Sequence, residues 1–197
     1  MKIVALTGGI ASGKSLALQI LQDLDEGVRV FDCDAWVQKL LATPRVVGEI
    51  SRALKGDLVD SQGALDRHKL RSLVFDDPDQ RAKLEAILHP EVRKECLVKR
   101  DEYRHDPFAT LFVVDVPLLY ESGFFFGQEL NLVVATSCAT QRVRLKARSH
   151  FEDRMIESIL QSQLPILDKV AKGDVAFWNE GPPSVLRCQL QRFLHSL

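Results

Sequence analysis

A chain of 197 residues with 26 Lys and Arg against 27 Asp and Glu has a formal net charge of -1, which excludes a general positive field for holding nucleic acid. Its length suits one core with one or two smaller inserts, and no apolar run approaches the length a bilayer-spanning helix needs. Cys33, Cys96, Cys138 and Cys188 are too widely spaced for a zinc cluster and are read as small buried hydrophobes.

The first predicted element is a strand, Met1-Lys2-Ile3-Val4-Ala5-Leu6-Thr7, too short to resemble a signal peptide, so a cytoplasmic protein with reduced thiols is expected. It runs directly into Gly8-Gly9-Ile10-Ala11-Ser12-Gly13-Lys14-Ser15, which satisfies the phosphate-binding pattern G-x-x-x-x-G-K-[ST] in full. A helical pattern with Leu18 and Leu21 follows, leading out to Gly27. Strand, glycine-rich bend and helix are the context the motif requires, because the curled backbone and the helix N-terminus aim N–H groups at a phosphate. Lys14 then supplies a point charge to the β- and γ-phosphates, and the Ser15 hydroxyl is a ligand for Mg²⁺. Kinases, GTPases, ATPases and motors share this device, so the motif alone does not name the reaction.

Residues 28–31 read as a second strand ending at Asp32-Cys33-Asp34, where open α/β sheets bind ligands. Asp34 is the candidate base for an acceptor hydroxyl. Asp32 faces the opposite way if strand alternation continues, so one of the pair is expected to be structural or part of a metal shell; the alternative is that both cap the next helix. The stretch 36–95 has helical spacing without a convincing buried strand, which suggests a helical insert for substrate recognition. The sheet resumes at Thr110-Leu111-Phe112-Val113-Val114, and the following Asp115 is placed to hold or orient the Mg²⁺ shell indirectly. Gly123-Phe124-Phe125-Phe126-Gly127 reads as a core or domain-contact plug. After a strand at 130–135, residues 140–148 form a basic helix with Arg144 and Arg148 on one face, as a closing lid requires, while Arg142 and Lys146 fit a solvated surface. A short strand at 175–177, a turn through Asn179-Glu180-Gly181-Pro182-Pro183 and a terminal helix complete the chain.

With these blocks in place, the chain resembles the dephospho-CoA kinase family over nearly its whole length. The resemblance rests on Leu6-Thr7 with the loop, Asp32-Cys33-Asp34, Gly63-Ala64-Leu65-Asp66-Arg67 with Leu70 and Phe75, Leu88-His89-Pro90, and Val114-Asp115-Val116-Pro117-Leu118-Leu119-Tyr120-Glu121. It continues through Gln141, Arg144-Leu145, Arg148, Gln163-Leu164-Pro165, Lys169, Asp174 and Asn179. The resemblance implies a three-layer α/β P-loop kinase fold with a mostly parallel central sheet, a helical substrate-binding insert and a short helical lid. It implies a nucleotide-binding core at 1–35, 96–139 and 164–197, an insert at 36–95 for the coenzyme-side substrate, and a lid at 140–163.

The implied reaction is ATP plus 3′-dephospho-CoA giving ADP and CoA, with Mg²⁺, no nucleic acid, no membrane, and a monomer with an oligomer left open. Catalytic roles carry over to Asp34, Lys14, Arg144 and Arg148. Nucleotide binding carries over to Gly8, Gly9, Ile10, Ala11, Ser12, Gly13, Lys14, Ser15, Leu16 and Asn179. The acceptor falls to Asp32, Asp34, Arg67, His89, Pro117 and Leu118, and the metal to Ser15, Asp34 and, indirectly, Asp115. Read without the family, His89 before Pro90 is a helix-start residue. Another small-molecule or nucleoside monophosphate kinase is the nearest alternative; a P-loop switch protein is the non-enzyme alternative.

Four departures from the family pattern matter. Leu16 stands where a hydroxyl usually follows Ser15, and losing one charge-assisted hydrogen bond of about 1.5–3 kcal/mol predicts weaker nucleotide binding. Ala11 replaces the commoner Gly, which is tolerable at negative φ. Ser149 and Ile159 stand where the lid pattern carries Asp and Arg, which leaves the lid less charged.

Overall fold

The structure is a computed structural model that describes residues 1–60, 62–149 and 152–197; His150 and Phe151, inside the expected lid, lie outside the described residues. In chain order its elements are β1 (Lys2–Gly8), α1 (Lys14–Leu24), β2 (Val28–Asp32), α2 (Cys33–Leu40), α3 (Pro44–Ala53), α4 (Arg67–Asp76) and α5 (Pro78–Arg104). Then come β3 (Leu111–Asp115), α6 (Leu119–Ser122), β4 (Leu130–Ala135), α7 (Cys138–Ser149), α8 (Asp153–Gln161), α9 (Ile166–Lys172), β5 (Val175–Trp178) and α10 (Pro183–His195). The chain forms two compact units, one from Met1–Phe31 with Lys99–Leu197 and the other from Asp32–Val98.

The first unit is built on a five-stranded sheet in the order β2-β3-β1-β4-β5. β1 pairs in parallel with β3 on one side and β4 on the other, and β4 pairs in parallel with β5. Strands covered on both faces need apolar side chains at every position, and that is why β1 and β3 read as unbroken apolar runs. The two-residue alternation then sorts the faces. Val4, Leu6, Leu111, Val113, Leu132 and Val134 meet Ala17 and Leu21 of α1 and Leu186, Leu190 and Phe193 of α10 in one cluster. Val133 and Ala135 meet Ile166 of α9 on the other face. Each fully buried aliphatic side chain contributes about 1.5–3 kcal/mol to docking the helices on the sheet. Because β1 is flanked by β3 and β4, its carboxyl end lies where the strand order reverses, the position from which a doubly wound sheet presents ligands.

The second unit is helical. Asp66 caps α4 by accepting from the His68 and Lys69 N–H groups, each at 3.0 Å. Ahead of it an isolated antiparallel bridge joins Val59 to Leu65. His89 and Pro90 correct the expectation of a helix start: they lie inside α5, a single helix of 27 residues. Buried Gln80, Leu88, Val92 and Cys96 form one stripe along it, so packing carries the helix through a proline that removes an N–H donor.

Two further expectations are corrected. Only Phe126 of the ring cluster is core, at 1% exposure, while Phe125 is 57% exposed. Gly123 and Gly127 adopt positive φ at either end of the segment, and Phe124 is half-buried against Phe126 with ring centroids 5.8 Å apart. Cys33 and Cys96 are buried but Cys138 and Cys188 are exposed, because they sit on the outward faces of α7 and α10.

Candidate active site

The bend between β1 and α1 is held from outside by side chains that occupy its carbonyls. Gln141 Nε2 donates to the Ile10 carbonyl at 2.7 Å, and the Ile10 N–H donates to Gln163 Oε1 at 2.9 Å. Arg144 donates to the carbonyls of Ala11 and Ser12 at 3.2 and 3.3 Å and to that of Asn179 at 3.0 Å. Asn179 Nδ2 donates to the Ser12 carbonyl at 2.8 Å. These bonds fix the peptide planes of the loop without using the first N–H groups of α1. That helix has no side-chain cap and no acidic residue in its first turn, so its amino end is prepared for an anion.

Gly13, the residue before α1, has φ +97, and a Cβ on it would stand 2.1 Å from Asn179 Nδ2. The close approach of Asn179 and the left-handed backbone each require glycine here.

Lys14 forms an ion pair with Asp115, their side chains 15% and 9% exposed. Asp115 ends β3 opposite Leu6 of β1, so the strand register delivers its carboxylate to the loop. Ser15 is exposed at the start of α1, whereas Leu16 packs against the apolar cluster between α1 and the sheet. Thr7 donates to the Pro117 carbonyl at 3.1 Å, tying β1 to the segment that carries Leu118. Lys169 pairs with Glu121 at 2.8 Å, and Glu121 also accepts the Leu164 N–H. Burial pushes the Glu121 carboxyl up, but the Lys169 ammonium and that N–H outweigh it and hold it below the usual carboxylate range.

The basic residues of α7 divide into two groups. Arg142 and Lys146 are exposed, as expected of a solvated face, and there they pair with Glu157 at 2.5 Å and Asp153 at 2.9 Å on α8. Arg144, half-buried, grips the loop's carbonyls; Arg148, one turn on, is exposed and makes no recorded hydrogen bond among the described residues. The two share a helix but stand in different environments.

In the second unit, Asp32 is the N-cap of α2, accepting the Ala35 N–H at 2.9 Å, and Asp34 is exposed in that helix's first turn. Strand alternation does not relate these two carboxylates, since a helix begins between them, and Asp32 takes the capping role that the alternative reading gave it. Arg67 opens α4, exposed, and donates to the Gln38 side chain; His89 is half-buried within α5.

Glu180 was not foreseen. Its carboxylate accepts from the Ser137 N–H, from the Thr140 hydroxyl at 2.7 Å and from the Thr136 hydroxyl at 2.8 Å. It thereby satisfies the amino end of α7 from outside the helix. Its partners lie about forty residues away in the chain, so no local pattern marks it. The same bonds, led by that from the Ser137 N–H, push its pKa from 4.5 down to about 2. A depressed carboxyl stabilises the fold fully above its unfolded value and loses that contribution as pH falls through its folded value. Stability should therefore fall between pH 4.5 and about 2, and Glu180→Gln should flatten part of that slope. Urea midpoints of parent and variant at pH 5 and pH 3 check this; parallel pH profiles would contradict it.

The model of the dephospho-CoA kinase family matches residues 2–183. The chain belongs to the dephospho-CoA kinase family. The dephospho-CoA kinase of Symbiobacterium thermophilum is 38% identical over 193 residues, covering 97% of this chain and 79% of that protein. The crystal structure of TT1252 from Thermus thermophilus superposes with a TM-score of 0.82 at 31% identity, covering 100% of this chain and 97% of that one. Dephospho-CoA kinase from Campylobacter jejuni, at 23% identity, shares the fold with a TM-score of 0.64, covering 99% and 96%. The three-layer P-loop kinase fold is thus the architecture observed. Dephospho-CoA kinases are ATP-using transferases that phosphorylate 3′-dephospho-CoA in the last step of coenzyme A biosynthesis.

Against the dephospho-CoA kinase pattern, Ala11 is strained: among the described residues it alone has positive φ without being glycine. Its φ is 57, so the negative φ that would make the methyl tolerable is absent. The left-handed region costs an L-residue about 1–2 kcal/mol, of which glycine's larger unfolded-state freedom returns about 0.5–1. Ala11→Gly should accordingly stabilise the protein by about 0.5–1 kcal/mol, raising the melting midpoint by about 2–3 °C. Calorimetry checks this, and an unchanged or lowered midpoint would contradict it.

Proposed function

We propose that this chain transfers the γ-phosphoryl group of magnesium-bound ATP to the ribose 3′-hydroxyl of 3′-dephospho-CoA, releasing ADP and CoA. The observation that carries the reading is the Gly8–Ser15 loop, its carbonyls clamped and its helix amino end uncapped, in a chain of the dephospho-CoA kinase family. In this reading the loop from Gly8 to Leu16 binds the triphosphate through the backbone N–H groups that its own bonds leave open, chiefly those at the start of α1, Asn179 keeps the loop in shape, and Lys14 exchanges Asp115 for phosphate oxygens.

Asp34 takes the proton of the 3′-hydroxyl as its oxygen bonds to the γ-phosphorus and the bond to the β–γ bridging oxygen breaks, the electron pair leaving with ADP. Asp32 holds the start of α2, and with it the Asp34 backbone. Arg67, His89, Pro117 and Leu118 bind the acceptor, and Arg144 and Arg148 neutralise charge on the phosphates.

Among the described residues no group of three or more His, Cys, Asp or Glu side chains is arranged to hold a metal. Mg²⁺ needs only one or two protein oxygens beside phosphate oxygens and water, and the hard oxygen donors Ser15, Asp34 and, indirectly, Asp115 fit that need. Bound there, the ion would offset the negative charge of the transferring group.

Residues 1–35, 96–139 and 164–197 serve as the nucleotide core, 36–95 as the acceptor-binding insert and 140–163 as the lid. The protein works as a cytoplasmic monomer; no helix among the described residues is long and apolar enough to cross a membrane.

ADP release measured across 3′-dephospho-CoA, nucleoside monophosphates and shikimate tests the reading. Turnover with 3′-dephospho-CoA alone is expected. Preference for another acceptor overturns the substrate, and hydrolysis indifferent to every acceptor overturns the transfer.

A further inference from the structure

Lys169 has no exposed side-chain surface, although its charge lies beside the phosphate loop. Its ammonium has three N–H donors and three acceptors: Glu121 Oε1 at 2.8 Å, the Pro117 carbonyl at 3.3 Å and the Gly8 carbonyl at 3.4 Å. No proton is left for a phosphate, so Lys169 acts through what it holds.

Gly8 is the last residue of β1 and the first of the loop, while Pro117 begins the segment after β3 that carries Leu118. The same stretch of chain grips the loop twice. Gln163 takes the Ile10 N–H, the neighbouring Leu164 N–H binds Glu121, and Glu121 binds Lys169. A buried ion pair is a poor way to gain stability, because apolar residues of similar size often serve as well or better.

We propose that Lys169, paired with Glu121, is a positioning residue that fixes the phosphate loop at Gly8 relative to the Pro117-Leu118 segment, so that triphosphate and acceptor meet in line. The inference rests on the kinase reading above and deepens it. Its chemistry is geometric: one ammonium shared by two carbonyls sets their separation, and a misplacement of about 1 Å between reacting groups costs about a hundredfold in rate.

The test is the double variant Lys169→Met with Glu121→Met, which replaces the pair by apolar side chains of similar length. Its melting midpoint should fall less than that of either single Met variant, which leaves a charge unpaired, while kcat per folded molecule falls about 30- to 100-fold and the KM for ATP changes less than about threefold. A folded double variant with kcat within about threefold of the parent overturns the proposal, as does a kcat loss that merely tracks lost folded protein.

Glu121→Gln, which keeps the shape and removes the charge, is the second variant; a parental kcat there also overturns the proposal. Amide hydrogen exchange at Gly9 and Ile10 needs no acceptor and separates this inference from the kinase reading. It should accelerate at least about tenfold in the double variant, and unchanged exchange overturns the positioning role even if the parent proves to phosphorylate something else.

Discussion

Asp34→Asn is expected to lower turnover with 3′-dephospho-CoA by about 10²–10⁴-fold, the range that positioned proton transfer contributes, while ATP affinity stays within about threefold. Asparagine keeps the size of the side chain and removes its capacity to take the hydroxyl proton. The cap of α2 should survive. Asp34 is exposed in the first turn of α2, and the cap of that helix is Asp32, whose bond to the Ala35 N–H the substitution leaves in place. The loss of a favourable charge at the helix amino end is worth only about 0.3–1 kcal/mol. Steady-state kinetics, ATP titration and a thermal melt on one preparation therefore separate chemistry from folding. A variant turning over near the parental rate would remove Asp34 from the reaction.

Lys14→Met is expected to damage both binding and transfer, with kcat/KM falling by at least about 10²–10³-fold, because one cation contacts the phosphates in the ground state and stabilises them further as charge shifts. It differs from Asp34→Asn in a second respect. Lys14 pairs with Asp115 in a largely buried setting, and removing one partner of such a pair costs stability, about 3–5 kcal/mol when burial is complete. The variant should consequently melt lower than the parent. The discriminating measurement is ligand protection: saturating Mg-ATP should raise the parent's melting midpoint by several degrees and the variant's by little, since stabilisation follows occupancy. Equal protection of both proteins would show that Lys14 is not the phosphate lysine.

These two residues were legible for different reasons. Lys14 lies in an eight-residue pattern whose meaning is local: strand, bend and helix amino end are contiguous, so spacing alone places the ammonium. Asp34 was singled out from a carboxylate at a strand end and from the family resemblance, while its actual setting, in the first turn of a helix capped by Asp32, needed the backbone. His89 shows the opposite error. A local rule about proline made it a helix start, yet the stripe through Leu88, Val92 and Cys96 carries α5 past Pro90. Arg144 was recognised as a helical arginine near phosphates, but its bonds to the Ala11, Ser12 and Asn179 carbonyls join segments far apart in the chain. Lys169 and Glu180 belong with Arg144, for their partners are likewise distant.

From its order of residues alone this chain specifies five apolar strands, the bend that cradles phosphate and the family to which it belongs, because each is written in neighbouring positions by side-chain periodicity or a contiguous motif. Only the folded chain decides which side chains close on that bend. Gln141, Gln163, Lys169 and Asn179 reach it through strand order and helix packing, and the positive φ of Ala11 is a property of the folded backbone that its residue type does not announce. The physical reason is that hydrogen bonds act over about 3 Å in space, whatever the separation along the chain.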